Sequence, residues 1–166
     1  MLNIKFIKHK SITEEELDDV ITVKSSAWPY PRFSQLNWIK TNLKDEDIHL
    51  LIKKNELPVA YLNLISIDLE IDKEKIRSYG LGNVCVLKKG EGMGKTLMYL
   101  VNDLIKKEKK IGLLFCKKSL IKFYNQFGWE HVEKNKLKSS FDDKDIETMV
   151  YNSNRFLEIE YKANIF

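Results

Sequence analysis

Hydrophobic and polar positions change period several times along the chain, and each change marks an element. Ile4 to Lys8 alternates as a short opening strand. Thr13 with Glu16 three residues on is a capping box, so a helix starts there and carries Leu17, Val20, Ile21 and Lys24. The turn Trp28-Pro29-Tyr30-Pro31 ends it. Leu36, Trp38, Ile39 and Leu43 recur at helical spacing and predict a second, short helix. From Ile48 the period becomes two: HLLIKK, a turn over 55–58, then VAYLNLISIDLEI read as two antiparallel strands. A turn over 72–75 leads to RSYGLGNVCVL, where Gly80 and Gly82 predict a bulge or a close backbone approach.

The second half opens with a glycine cluster, KGEGMG, running into an amphipathic helix. Met93, Leu97, Leu100, Val101, Leu104 and Ile105 form its apolar face, and Asn102, Asp103, Lys106 and Lys107 are expected opposite. Ile111 to Cys116 reads as a strand, and 120–127 as a compact helix closed by Gly128 in the left-handed region. Phe123, Phe127 and Trp129 are expected in the core. A strand from Trp129, a charged loop over 133–145, a strand IETMVYN and an aromatic-rich tail complete the chain. No repeat or low-complexity linker separates these elements, so the organisation expected is a single domain over 1–166, with its core at about 3–151 and an extension over 152–166.

Composition narrows the class. With 166 residues, 43% of them hydrophobic, the chain suits one continuous core. No apolar run is long enough for a signal peptide or a membrane span, which predicts a cytoplasmic protein with no membrane partner. Cys85 and Cys116 lie in apolar strands and read as buried, reduced thiols. His9, His49 and His131 are isolated in sequence, so no metal is expected. The net charge of +4 comes from lysines interleaved with acids, the pattern of a solvated surface and not of a nucleic-acid footprint. The lysine-rich end of the long helix, 106–110, is read in the same way, favoured by the helix dipole.

The glycines raise the question of which phosphate they hold, because backbone amides at a helix start are an anion site. A P-loop would need glycine at Lys89, since Gly94-Lys95-Thr96 supplies only its second half. The dinucleotide fingerprint would need glycine at Lys95. Both nucleotide readings miss by one residue. The alternative without a ligand is that Gly92 and Gly94 merely let a helix start pack closely on a strand.

VCVLKKGEGMGKTLM resembles the acetyl-CoA loop of the GNAT (Gcn5-related) N-acetyltransferases: Arg or Gln, two residues, Gly, one residue, Gly or Ala. Lys89, Gly90, Glu91, Gly92, Met93 and Gly94 match it except at the first position, where lysine keeps the charge and loses the usual side-chain geometry. Further on, LIKFYNQFGWE resembles the family's second feature, A-x-x-x-Y-x-x-x-G-F, with Leu120 in the alanine position, then Tyr124, Gly128 and Trp129. The resemblance implies a mixed α+β fold whose central sheet has splayed parallel strands flanked by helices, and an enzyme that moves acetyl from acetyl-CoA to a primary amine. It implies a coenzyme site at Val84, Cys85, Val86, Lys89, Gly90, Glu91, Gly92, Met93, Gly94, Lys95, Thr96, Lys117 and Ser119. It also implies Tyr124 as the acid that protonates the leaving thiolate; the plain alternative for Tyr124 is packing with its hydroxyl satisfied nearby.

The family often carries a carboxylate base on the strand before the loop, and Gly82-Asn83-Val84-Cys85 offers none. Asp68, Glu70 or a water near Asn83 are the candidates. From Trp38 to Trp129 the chain looks most like aminoglycoside 2′-N-acetyltransferases and their relatives. The acceptor expected is a small amine, aminoglycoside-like or polyamine, drawn to Asp45, Glu46, Asp47, Asp142, Asp143 and Asp145. A peptide acceptor would use an aromatic wall at Trp28, Tyr30, Phe33 and Trp38 instead. The rival of another class is a catalytically silent acyl-CoA-binding or regulatory domain, and the oligomeric state is read as monomer or homodimer.

Overall fold

The computed structural model describes residues 1–140, 143–163 and 166. In chain order the elements begin with strand β1 (Leu2–Lys8), helices α1 (Glu14–Ala27) and α2 (Arg32–Asn42), and strands β2 (Ile48–Lys54), β3 (Leu57–Ile71) and β4 (Glu74–Val86). Helix α3 (Met93–Lys107), β5 (Gly112–Lys117), α4 (Ile121–Asn125), β6 (Glu130–Val132), β7 (Leu137–Ser139), β8 (Ile146–Tyr151) and β9 (Ile159–Tyr161) follow. This is the mixed α+β class expected, with a mostly antiparallel sheet. Among the described residues the parallel pairs are β4 with β5 and β7 with β9. No helix among them is long and apolar enough to cross a membrane. The chain divides into two compact units, Met1–Ile65 with Gly82–Val101, and Ser66–Leu81 with Asn102–Phe166.

In the first unit the strands run in the order β1-β2-β3-β4. Asn55 and Glu56 take φ of 49° and 64°, the two left-handed residues that a type I′ turn needs to join β2 to β3. Helix α1 starts at the expected capping box: Glu16 N donates to Thr13 Oγ1 at 3.2 Å, and Thr13 N donates to Glu16 Oε2 at 3.1 Å. Two ion pairs fix its acidic side to the strands, Lys5 to Glu16 at 2.7 Å and Lys53 to Asp19 at 2.9 Å. Its other side buries Val20, Ile21 and Val23, in a unit whose core also holds Ile39, Leu50, Ile52, Leu62, Leu97 and Val101. Each such side chain removed from water contributes roughly 1.5–3 kcal/mol, so this is where the unit's stability resides. Strand β1 lies at the edge and contributes less, because Leu2, Ile4 and Phe6 remain exposed.

In the second unit β4 pairs with β5 through Tyr79–Gly112, Gly80–Leu113 and Leu81–Leu114. β5 then pairs with β8, and β8 with β6, both antiparallel. Three expectations are corrected here. Asn102 does not face solvent: it is buried, accepts from Trp129 Nε1 at 2.9 Å and donates to the Phe127 carbonyl at 2.8 Å. The charged stretch over 133–145 is not all loop, since it contains β7, and the aromatic tail contains β9, which pairs with both β3 and β7. The helix expected over 120–127 is a five-residue helix, α4, preceded by a 3-10 turn at Lys118–Leu120.

The close approach predicted at Gly80 is made by the chain itself, because a Cβ there would collide with the Phe166 ring. That ring also meets Phe115 and Tyr161, at centroid distances of 5.2 Å and 5.9 Å. Gly112 is excluded from carrying a side chain by Trp129, whose Cη2 would lie 2.7 Å from its Cβ.

Candidate functional site

In the first unit the last residues of β4 and the loop after them carry most of the predicted positions. Asn83 has φ +52°, a left-handed residue inside a strand, so the irregularity predicted from Gly80 and Gly82 falls one residue later. Asparagine tolerates that conformation better than most residues. Its Nδ2 donates to Asn63 Oδ1 at 2.6 Å. Asn63 is fully buried, and its own Nδ2 has no hydrogen-bond partner among the described residues. Val84 and Val86 are half-buried, whereas Cys85 is buried, and burial pushes its thiol up to about 12 against the opposing pull of Lys24. The strand is held in place at its end: Ser26 Oγ donates to the Val86 carbonyl at 3.1 Å, and Leu87 N donates to the Val59 carbonyl at 2.8 Å.

The loop itself is open. Lys89, Gly90, Glu91, Gly92 and Lys95 are exposed, and Met93, Gly94 and Thr96 are half-buried in the first turn of α3. Gly90 and Gly92 take φ of +87° and +80°, and a Cβ on either would meet nothing within 4 Å. Close packing therefore does not explain Gly92. Its conformation requires glycine, and the space beside it is free for a ligand. Thr96 N donates to the Gly92 carbonyl at 3.2 Å, and the amides that precede it are the ones a helix start leaves without intrahelical acceptors. The loop thus offers what a pyrophosphate requires: backbone donors, a helix start and no side chains in the way.

Sequence reasoning missed a polar cluster in the interior of this unit. His9 and His49, forty residues apart and isolated in sequence, lie side by side with Nδ1 of His9 3.0 Å from Nε2 of His49. Nδ1 of His49 is 2.8 Å from the Tyr61 hydroxyl. Burial, with His9 and Lys24 nearby, lowers His49 from 6.5 to about 3, so it is neutral. Lys24 is only 3% exposed, and its ammonium lies 4.1 Å from the centroid of the Trp38 ring. Burial lowers it from 10.5 to about 8. The one signal for it in the sequence is a lysine occupying a place on the apolar stripe of α1.

In the second unit Tyr124 is buried, its ring 5.1 Å from Phe123 and 6.4 Å from Trp129. Its hydroxyl makes no hydrogen bond to another described residue. Burial, with Cys116 nearby, pushes the phenol well up, so it carries its proton. Gly128 takes φ +79° and closes the turn, with Gly128 N donating to the Asn125 carbonyl at 3.1 Å. Phe127 and Trp129 are core as expected; Phe123 is half-buried. Lys117 and Ser119 are exposed.

Several of the carboxylates singled out in the sequence have other partners. Asp68 is exposed and pairs with Arg77 at 3.2 Å, and Glu70 sits in the ladder opposite Glu160 of β9. Glu46 pairs with both Lys8 and Lys10, which hold its carboxyl well below the usual range. Asp47 is buried and accepts from Lys44 N at 2.8 Å, and Asp143 accepts from Asp145 N at 2.9 Å. Asp142 lies outside the described residues. Trp28, Tyr30 and Phe33 are exposed, the last two strongly.

A family model described as an acetyltransferase (GNAT) domain matches residues 8–132. Among solved structures, Escherichia coli ElaA is similar with a TM-score of 0.67 at 20% identity, covering 91% of this chain and 99% of that one. The E. coli GNAT family N-acetyltransferase YhbS, solved in complex with CoA, aligns with a TM-score of 0.69 at 13% identity over 97% of this chain and 91% of that one. The ribosomal-protein-S18-alanine N-acetyltransferase of E. coli aligns with a TM-score of 0.65 at 15% identity over 95% of both chains. No curated protein sequence matches the chain.

Proposed function

From the premise that this chain belongs to the GNAT acetyltransferase family and is an acetyl-CoA-dependent N-acetyltransferase, we propose that it acetylates the primary amine of a small molecule, and we assign roles to its residues. The observation that carries the assignment is the loop before α3, where Gly90 and Gly92 are left-handed with free space at their Cβ positions. Acetyl-CoA supplies the activated acetyl group. The amides of Lys89 to Lys95 hold its pyrophosphate at the start of α3, with Lys89, Lys95 and Thr96 beside them and Lys117 and Ser119 as further contacts. Backbone amides of Val84, Cys85 and Val86 stabilise the oxyanion. Tyr124, protonated and without a competing partner, returns a proton to the departing sulfur.

With Asp68 paired to Arg77 and Glu70 in the ladder opposite Glu160, we place the amine's proton route at a water held near Asn83. An aminoglycoside-like or polyamine acceptor, as in kinship with aminoglycoside 2′-N-acetyltransferases, would use the acidic residues named above for it, and the ion pairs of Glu46 and the inward Asp47 weaken that support. We take a single domain acting in the cytoplasm as the working form. Isothermal titration with acetyl-CoA, CoA and ATP tests the site: tight ATP binding without CoA binding would refute it. Thiol release across amines, amino acids and short peptides tests the acceptor, and transfer confined to peptides would overturn the small-molecule assignment.

A further inference from the structure

The least explained group in the first unit is the ammonium of Lys24. It lies on the apolar side of α1, only 3% exposed, against the Trp38 ring. It has neither an ion pair nor a hydrogen bond among the described residues. Three acids of its own helix pair with other cations: Glu16 with Lys5 at 2.7 Å, Asp19 with Lys53 at 2.9 Å, and Asp18 with Arg32. Cys85, beside it, is a neutral thiol, and His49 is a neutral imidazole. An aromatic face attracts a cation but does not neutralise it. Buried charges in native proteins are almost always paired, and an anion that reaches this largely buried ammonium would complete such a pair.

Its position says where the other half comes from. Ser26, two residues on, donates to the Val86 carbonyl at 3.1 Å and so lays the last turn of α1 along β4 at Val84 to Val86. This is the strand to which the oxyanion donors are assigned above. The exposed aromatics Trp28, Tyr30 and Phe33 follow directly in the turn after α1 and in α2. A cation, an aromatic wall and the reacting strand therefore come from adjacent stretches of the same unit.

We propose that Lys24 is an acceptor-binding residue that pairs with a carboxylate, and that the acceptor is an amino acid: a small molecule carrying an anionic group beside the amine that is acetylated. The inference rests on the assignment of Val84 to Val86 to the reacting strand. A polycation is the wrong partner for this site, since Lys24 repels it.

The test compares free amino acids with their C-terminal amides as acceptors, reading thiol release from acetyl-CoA with the full chain. At least one amino acid is expected to exceed its amide in kcat/KM by about tenfold or more, the scale of a hydrogen-bonded charge pair. In Lys24→Met that ratio collapses to about one, and in Lys24→Arg it is partly restored; circular dichroism confirms that both variants fold. Amides equal to acids in the native chain, or a preference that survives Lys24→Met, overturns the proposal while leaving acetyl transfer intact. A second readout needs no turnover: calorimetry of the CoA-loaded protein with N-acetyl amino acids and N-acetyl amino acid amides. Preference for the acids that is lost in Lys24→Met supports the proposal, and equal or absent binding of both refutes it. Failure to bind CoA at all counts separately, against the coenzyme assignment.

Discussion

Each unit encloses a buried polar cluster, and the two are completed differently. Around Trp129, indole and amide satisfy each other: Trp129 Nε1 donates to Asn102 Oδ1, and Asn102 Nδ2 donates to the Phe127 carbonyl. Tyr151 stacks on the same indole at 5.3 Å, closing a knot of side chains and backbone in which hydrogen-bonding demand is met. Around Lys24 the reverse holds. The ammonium rests on a ring and pairs with nothing, and the buried Asn63 keeps a donor without an acceptor. Satisfied clusters hold a fold, and a folded chain retains unsatisfied ones at a cost in stability, a cost that the carboxylate proposed above for Lys24 would offset.

Substitutions can sharpen or break this contrast. Asn102→Leu leaves the buried Trp129 N–H without the acceptor it has in the native chain, at roughly 1–3 kcal/mol, so urea unfolding should show a loss of about 2 kcal/mol. A loss below about 0.5 kcal/mol would mean that the Trp129 cluster does not hold the fold. Tyr124→Phe should lower kcat about 10²-fold and leave acetyl-CoA affinity near normal, because general acid catalysis contributes about 10²–10⁴. Unchanged turnover would return Tyr124 to simple packing. Lys24→Met should raise stability by about 1–3 kcal/mol at neutral pH, since burial lowers the folded pKa of Lys24 and the charged form bears that penalty. A destabilised variant would show that the Trp38 contact outweighs desolvation.

The smallest effect is one of slope. His49 has a folded pKa of about 3 against an ordinary 6.5, so between these values the unfolded chain binds more protons than the folded one. Stability is fully retained above pH 6.5 and falls with pH below it, with a contribution from this residue approaching about 1.4 kcal/mol per unit. Chemical denaturation of the native chain and His49→Gln between pH 7 and 5 measures the difference. Equal slopes would show that His49 charges freely and that the interior is wetter than its burial indicates.

What could be read from the sequence was local. The capping box at Thr13, the loop glycines, Gly128 as a cap and strand β8 each announce themselves within a few residues, and the structure has them where expected. The GNAT assignment rests on such signals and holds. What could not be read depends on partners far along the chain. Asn102 looks like part of a polar helix face until Trp129 arrives twenty-seven residues later. His9 and His49 meet only because β1 and β2 pair in a register that sets Lys8 against Ile48. Strands β7 and β9 are short and lie within charged or irregular sequence, so no periodicity reveals them. Lys24 was visible on the apolar stripe of α1, but its isolation follows from which lysines and arginine took the neighbouring acids.

Strand β9 also bears on the order in which the molecule assembles. Its partners on β3 are Glu70 with Glu160 and Ile71 with Ile159, so nearly ninety residues must be drawn into a loop before this edge can form. The hairpin of β2 and β3 closes across a two-residue turn and has no such entropy to overcome. The three-residue β9 ladder should accordingly form late and open first. Its amides are expected to exchange with solvent deuterium by brief local opening, while those of β2 and β3 exchange only when the whole chain unfolds.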